Sequence, residues 1–280
     1  MTLASWSQVE TEAKRIAGTD LRTIAARANV EDFVWRAPHL EADVAKQPID
    51  AGAMAALTAF AEERKLSDHI ATLFAGGIVN DSEHRPALHW ALRGGGDSIP
   101  TVQNMRKQAE KATAFAKLTL GGGLGFTVKT ILHIGIGGSD LGPRLVWDAL
   151  RRYGASGPEI RFCANVDPED FHEATAGLDP ATTLVLVVSK SFKTPETASN
   201  ARLAREWLVK GLGEDKANHH LAAVSSAPDK AQAWGAAAER IFPMDESVGG
   251  RYSLWSPVGL SLEIALGPDV WARVLKGGHA

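Results

Sequence analysis

Five short apolar runs, separated by amphipathic stretches, dominate the chain from residue 128 onward. The runs are rich in β-branched residues and occupy 128–136, 159–166, 182–189, 219–225 and 240–244. Helical patterns fill the intervals at 141–152, 169–176, 195–211 and 228–238. Strands that alternate with helices at this spacing build parallel βαβ units whose sheet is covered on both faces. The sequence therefore predicts a doubly wound α/β fold with a five-stranded parallel sheet.

The first third of the chain has a different pattern and predicts an N-terminal helical region. Apolar residues recur at helical spacing over 3–17, 20–29, 50–64 and 101–118, and a short helix is expected at 85–93, before the glycines at 94–96. Asp50 is placed to cap the helix that begins after it.

The last thirty residues predict two more helices. Ser256 as N-cap and Pro257 at the first helical position begin a helix over 257–266, and a shorter one follows over 268–276. The first of these is apolar nearly all round, which is typical of a buried helix. We expect it to need a partner chain to cover it.

Composition excludes several classes of protein. The chain has 280 residues, a net charge of −3 and one cysteine, Cys163. A single thiol forms no internal disulfide, and the charge is wrong for a protein that coats nucleic acid. No apolar run reaches the roughly 18–20 residues of a membrane span, and the first residues lack a leader pattern, so we expect a cytoplasmic location. The spacing of the nine histidines, with the pair His219-His220 opening a strand, predicts neither a metal site nor a Ser-His-Asp triad.

The first chemical motif follows the first strand. It reads Ile-Gly-Ile-Gly-Gly-Ser-Asp-Leu-Gly over residues 134–142. Such glycines let the backbone approach a ligand, and the N-terminus of the next helix attracts an anion. The motif departs from the dinucleotide fingerprint because Asp140 occupies the third glycine position, where it would repel a pyrophosphate. A simple tight turn between strand and helix is the alternative interpretation of this motif. A nucleotide-dependent oxidoreductase is the third hypothesis for the function of the chain.

The second motif follows the third strand and reads Ser-Lys-Ser-Phe-Lys-Thr-Pro-Glu-Thr over residues 189–197. Four hydroxyls and two lysines lie within nine residues, and Thr194 is placed to cap a helix that begins at Pro195. Convergent hydroxyl and N–H donors suit a phosphate monoester. An ordinary polar N-cap is the alternative.

The third motif lies past the fifth strand, where Gly249-Gly250-Arg251-Tyr252-Ser253 interrupts an apolar stretch. The guanidinium of Arg251 is suited to contact a substrate oxygen or a developing enolate. Pairing with a surface carboxylate is an equally good interpretation of Arg251 alone.

Together these motifs resemble the phosphoglucose isomerase (glucose-6-phosphate isomerase) family, with 85–93, which contains Leu-His-Trp-Ala-Leu-Arg, as a further similar segment. The resemblance implies two SIS (sugar isomerase) α/β domains in a homodimer, with no cofactor and no metal, acting in glycolysis and gluconeogenesis. It implies an N-terminal helical region at 1–118, a first SIS domain at 119–250 and the start of a linker at 251–280.

The resemblance also implies roles for particular residues. Gly138 and Ser139 would line the sugar-phosphate site, and Gly250 would accompany Arg251, which would stabilise the cis-enediolate. The phosphate would be held by the second motif, through Ser189, Lys190, Ser191, Thr194 and Thr197. The family more often has Thr at the position of Ser191.

Aldose–ketose isomerisation also needs groups that move protons. The resemblance implies a Glu base, a ring-opening His in a Gly-Gln-His-Ala segment and a Lys, and none of these motifs occurs in the 280 residues. His279 only echoes the His motif. Three carboxylates in the chain could be considered as a replacement for the base. Each has a better interpretation: Glu196 as a first-turn helix residue, Glu263 as a member of a structural pair and Asp140 as a helix cap. A stand-alone SIS module that binds phosphosugars without turning them over is therefore the alternative function.

Overall fold

The computed structural model describes residues 4–27, 29–154 and 156–280. These residues divide into two compact units, one reaching Val79 and including Ala280, the other comprising Asn80–His279. In the part of the chain so described, no helix combines the length and the apolar character needed to span a membrane.

The first unit contains helices and one small hairpin. Its elements are α1 (Ala4–Ala17), α2 (Leu21–Ala25), β1 (Val34–Ala37), β2 (Leu40–Asp43), α3 (Ala51–Glu63), α4 (Leu66–Phe74) and the start of β3 (Ile78–Asn80). Asp50 caps α3 as predicted, because its carboxylate accepts hydrogen bonds from the N–H groups of Gly52 and Ala53 at 3.1 and 3.0 Å. The helix expected over 20–29 ends at Ala25, and residues 3 and 28 of the expected helices lie outside the description.

The second unit carries the sheet and its covering helices. Its elements are β4 (Arg85–Pro86), α5 (Pro100–Leu120), β5 (Thr130–Ile134), α6 (Leu141–Leu150), β6 (Glu159–Cys163), α7 (Pro168–Thr175), β7 (Thr183–Val188), α8 (Pro195–Leu212), α9 (Glu214–Asn218), β8 (Leu221–Val224), α10 (Pro228–Trp234), β9 (Ile241–Phe242), α11 (Leu260–Leu266) and α12 (Pro268–His279). The short helix expected at 85–93 is only a 3-10 turn over His89–Leu92, because its first two residues form β4.

All five predicted strands form one parallel sheet, which confirms the predicted fold class. The strands lie side by side in the order β6-β5-β7-β8-β9. Every neighbouring pair is parallel, and β5 pairs with both β6 and β7. The direction in which the chain adds strands reverses between β5 and β7, so a topological switch point lies between them.

The central strand β7 shows why the sheet is covered on both faces. All of its side chains are buried, and they alternate between two apolar clusters. Leu184, Leu186 and Val188 pack with residues of α5 and α11, whereas Val185 and Val187 pack with residues of α8. A period of two places successive side chains on opposite faces of the sheet, so the continuous apolar run is a requirement of this position.

Helix α11 is covered within this chain, so the expectation that it needs a partner chain is wrong. All seven of its residues are buried, among the side chains of the larger apolar cluster. The cover includes α12, which runs to His279 instead of ending at residue 276. Ser256 caps the preceding turn as predicted, accepting a hydrogen bond from the N–H of Val258.

Candidate functional site

The three motifs lie in the loops that follow β5, β7 and β9, at the carboxyl edge of the sheet. The first two flank the switch point between β5 and β7, where open α/β sheets bind their ligands. The third motif forms a 3-10 turn over Gly250–Trp255 and reaches back to the first. The fold therefore brings together loops that are far apart in sequence.

Gly138 and Gly250 make the contact between the first and third motifs. A Cβ atom placed on Gly138 would lie 2.0 Å from the carbonyl oxygen of Gly250 and 2.8 Å from the N of Arg251. Both neighbours are backbone atoms, so only glycine fits at this position. The buried Ser253 hydroxyl is 2.6 Å from the carbonyl oxygen of Gly250 and 3.3 Å from that of Gly138.

A buried histidine on β5 is hydrogen-bonded to the backbone of the first motif. His133 lies on β5 with no exposed surface, and its Nε2 is 2.8 Å from the carbonyl oxygen of Ser139. Its Nδ1 is 2.9 Å from the hydroxyl of Ser261 on α11. Burial lowers the pKa of His133 to about 4, so the ring is neutral at physiological pH. Histidine spacing did not indicate a role for His133, although a histidine within a continuous apolar strand is a signal that could have done so.

Asp140 is not the side-chain cap that the sequence indicates. It occupies the N-cap position of α6, but its carboxylate makes no capping hydrogen bond and instead pairs with Arg144, at 2.8 Å. Arg144 also lies over the Phe162 ring. The buried negative charge of Asp140 is therefore compensated within the chain.

In the second motif, two serine hydroxyls accept hydrogen bonds from N–H groups of the same loop. Ser189 is buried, and its hydroxyl accepts a hydrogen bond from the N–H of Phe192 at 3.1 Å. The Ser191 hydroxyl accepts one from the N–H of Lys193 at 3.3 Å. Phe192 has a φ of 51°, a left-handed conformation that is costly for a bulky side chain. The two hydroxyl bonds hold the loop in this tight turn.

Lys190 joins the second motif to the third. Its ammonium donates to the carbonyl oxygens of Glu246 and Val248 at 3.2 and 3.3 Å. A lysine has three N–H donors, so one remains for another acceptor. Lys190 therefore braces the neighbouring loop as well as bringing positive charge to this edge.

The N-terminus of α8 has no side-chain cap. Pro195 begins the helix as predicted, but the hydroxyl of Thr194 makes no capping hydrogen bond, contrary to the prediction. The first turn of a helix leaves N–H groups without intrahelical partners, and these belong here to Glu196 and Thr197. Thr197 itself is buried in that turn. Such an end is suited to an anion, since the hydroxyl beside it has no hydrogen-bond partner among the described residues.

Arg251 is exposed, and within the described residues its guanidinium forms no ion pair. It lies 5.2 Å from the centroid of the Tyr252 ring. Tyr252 in turn stacks on His89, with ring centroids 4.3 Å apart. This stack links the 85–93 segment to the third motif, a contact that the sequence did not indicate.

Glu263 and Cys163 are buried titratable groups that lie outside the three motifs. Glu263 is buried and accepts a hydrogen bond from Thr113 at 2.5 Å, and burial raises its pKa. Burial also raises the pKa of the Cys163 thiol to about 12, so it is a poor nucleophile. Among residues 4–27, 29–154 and 156–280, no cluster of three acidic, His or Cys side chains could hold a metal ion.

The burial of His133 predicts an acid-sensitive fold. A histidine has a pKa near 6.5 in the unfolded chain, and about 4 in the folded protein, so the unfolded state binds more protons between these values. The stabilisation is complete above pH 6.5 and is lost as the pH falls towards 4. We expect His133→Gln to reduce the pH dependence of the unfolding free energy by about 3 kcal/mol across this window.

Urea titrations of both proteins at pH 7 and pH 4.5 check this expectation. His89 and His220 remain in both proteins, so their contributions cancel in the difference. Equal losses of stability in the two proteins would contradict the assigned burial of a neutral ring.

Comparison with known proteins extends the resemblance across the chain. A family model described as phosphoglucose isomerase matches residues 43–280. The glucose-6-phosphate isomerase of Aromatoleum aromaticum is 43% identical, over 99% of this chain and 53% of the relative. That of Caulobacter vibrioides is 42% identical, with the same coverage. The chain spans about half the length of the curated relatives it matches.

Solved structures agree with these relatives. The crystal structure of a glucose-6-phosphate isomerase from Chlamydia trachomatis superposes with a TM-score of 0.79 at 26% identity, covering 99% of this chain and 55% of that one. A hypothetical protein from Thermus thermophilus gives 0.56 at 27% identity, over 79% of this chain. The matched family model, the identity to these relatives and the shared five-stranded parallel sheet together show that the chain belongs to the phosphoglucose isomerase family.

Proposed function

We propose that this chain provides the phosphosugar-binding part of an aldose–ketose isomerase that interconverts glucose 6-phosphate and fructose 6-phosphate through a cis-enediol. One observation carries the proposal: Lys190 joins the loop before the uncapped N-terminus of α8, at the switch point, to the loop of Arg251, whose guanidinium forms no ion pair within the described residues. One offers donors for a phosphate, and the other offers a cation for a developing enediolate.

The phosphate group would be held at the second motif. Thr194 and the N–H groups of the first turn of α8 would donate to its oxygens, and Lys190 would add charge and its remaining N–H. Ser189 and Ser191, whose hydroxyls already accept from the loop backbone, would keep that loop in shape. Thr197, which is buried in this turn, would contribute its backbone N–H to the same set of donors.

The sugar would lie over the first and third motifs. Ser139, beside Gly138, would contact its hydroxyls, and Gly250 would leave space for it, since a Cβ there would meet no atom within 4 Å. Arg251 would stabilise the negative charge that appears on the enediolate oxygen after proton removal from C2.

Proton transfer itself would require groups outside these residues. The family's Glu, His and Lys motifs do not occur in the 280 residues, so we propose that this chain alone binds hexose 6-phosphate without turning it over. The absence of these motifs from the 280 residues also fits a second candidate, a phosphosugar-binding module that catalyses nothing. Turnover after reconstitution with the remaining half of a relative would separate the two.

The same proposal includes the organisation inferred from the family. Residues 1–118 would form the helical region, 119–250 the first SIS domain and 251–280 the start of the link to a second. The whole enzyme would be a cytoplasmic homodimer without a cofactor.

Binding of glucose 6-phosphate to the purified chain, measured by calorimetry, tests the proposal. We expect the double substitution Ser189→Ala and Thr194→Ala to weaken binding by about 100-fold, because Thr194 would lose a hydrogen bond to a charged group, worth roughly 1.5–3 kcal/mol, and the loop would lose the bond between Ser189 and the N–H of Phe192. Ser199→Ala, one turn further along α8, is the matched control and should bind like the wild type. A wild-type chain that does not bind glucose 6-phosphate would contradict the proposal.

A further inference from the structure

We propose that His133 is a positioning residue, which fixes the first loop (residues 135–140) for the sugar part of a phosphosugar. This inference rests on the proposed function. Its basis is a chain of two hydrogen bonds that runs from α11 through the buried ring to the loop backbone: Ser261 to His133, and His133 to the carbonyl of Ser139.

The geometry fixes the tautomer of the ring. The carbonyl oxygen of Ser139 can only accept a hydrogen bond, so the hydrogen of the neutral ring lies on Nε2. Nδ1 then accepts from the hydroxyl of Ser261, which is also fully buried. Each ring nitrogen therefore has one suitable partner, and the ring has a single orientation.

The two ends of this series of hydrogen bonds differ in how tightly they are packed. Ser261 lies on α11, whose residues are all buried and packed into the core of its unit. The loop, in contrast, contains Gly135, Gly137 and Gly138, and glycine loses more backbone entropy on ordering than any other residue. A hydrogen bond from a side chain that cannot move is an effective way to fix such a loop.

Two consecutive carbonyl groups of the loop are fixed in this way. The hydroxyl of Ser253 lies near the carbonyl oxygen of Gly138, and His133 holds that of Ser139. The hydroxyl of Ser139 has no hydrogen-bond partner within the described residues, and the residue is half-buried. The backbone of Ser139 is thus fixed while its side chain remains available to a ligand.

The position itself favours a role beyond packing. The side chains around His133 on the strand are Ile131, Leu132 and Ile134, all fully buried, and an apolar residue would avoid the cost of burying an imidazole. Local rules of this kind are broken mainly where a function requires it.

Two variants and two ligands test the proposal. His133→Leu removes the donor to Ser139, whereas His133→Gln can place an amide N–H near the position of Nε2. We expect His133→Leu to weaken glucose 6-phosphate binding about tenfold and to leave inorganic phosphate binding within twofold, because the phosphate is held by the second motif. His133→Gln should restore glucose 6-phosphate binding to within about threefold of the wild type.

Hydrogen exchange of the backbone amides gives a measurement that does not depend on a ligand. The N–H groups of Ser139 and Asp140 are bonded within the loop, to the carbonyls of Ile136 and Gly137. We expect His133→Leu to speed their exchange about tenfold while the amides of α8 stay unchanged.

Three results would overturn the proposal: unchanged glucose 6-phosphate binding in His133→Leu, an equal loss of both ligands, or unchanged exchange in the loop. A wild-type chain that binds neither ligand would overturn the proposed function and, with it, the role in sugar binding. The exchange measurement would still decide whether His133 orders the loop.

Discussion

Replacement of Gly138 by alanine is expected to abolish detectable phosphosugar binding and to lower the unfolding free energy by about 1–3 kcal/mol. The added Cβ would lie 2.0 Å from the carbonyl oxygen and 2.3 Å from the carbonyl carbon of Gly250. No rotamer relieves this overlap, because both neighbours belong to the backbone. Either the first or the third motif has to move, so the position of Arg251 relative to Ser139 changes. Calorimetric titration with glucose 6-phosphate and urea unfolding measure the two effects.

Gly250→Ala is the matched control for this substitution. It adds the same methyl group on the other side of the same contact, but no atom lies within 4 Å of the new Cβ. We expect its unfolding free energy to stay within about 0.5 kcal/mol of the wild type. If Gly138→Ala were as stable as Gly250→Ala, the two backbones would not be in the contact described.

Replacement of Arg251 by alanine is expected to lower turnover by about 100- to 1,000-fold in an active enzyme that contains this chain. An enediolate is more negatively charged than the sugar from which it forms, so a guanidinium nearby stabilises the transition state more than the ground state. The fall should therefore appear in kcat, with little change in KM. Stability should change little, because the side chain is exposed.

A fusion of this chain to the remaining half of its Aromatoleum aromaticum relative provides the enzyme for this test. The unsubstituted fusion must first interconvert the two hexose phosphates, since that activity is itself part of the proposal. Arg251→Lys keeps the charge but loses the planar fork, and we expect an intermediate rate. Full activity of Arg251→Ala would contradict the role of the guanidinium.

Patterns of burial made the sheet predictable. The run at 182–189 is apolar without interruption because β7 is covered on both faces, and this requirement is visible in the residues themselves. For α11, the predicted burial is confirmed, but the expected need for a partner chain is wrong. Its apolar surface predicts burial, but residues far along the chain decide what buries it, and α5 lies more than a hundred residues earlier.

The loops were less predictable because each polar side chain has several possible partners. Thr194 is a residue type that favours the N-cap position, but its side chain makes no capping hydrogen bond. The carboxylate of Asp140 pairs with Arg144 instead of capping α6. The stack of His89 on Tyr252 joins segments that no local pattern connects. The motifs therefore predicted which loops follow the strands, and the structure brings these loops together, but the sequence did not indicate the contacts between them.

The contact between Gly138 and the third motif also bears on the synthesis of the protein. The hydrogen-bonded pair Gly138 and Ser253 is separated by 115 residues. At translation rates of about 5–20 residues per second, Gly138 leaves the ribosome roughly 6–23 seconds before Ser253. During that interval the nascent chain has made the strand and loop but lacks the segment that closes over them. The contact between these two motifs can therefore form only late in synthesis, and a chain released before residue 253 would lack the hydroxyl that bonds to the carbonyl oxygen of Gly138.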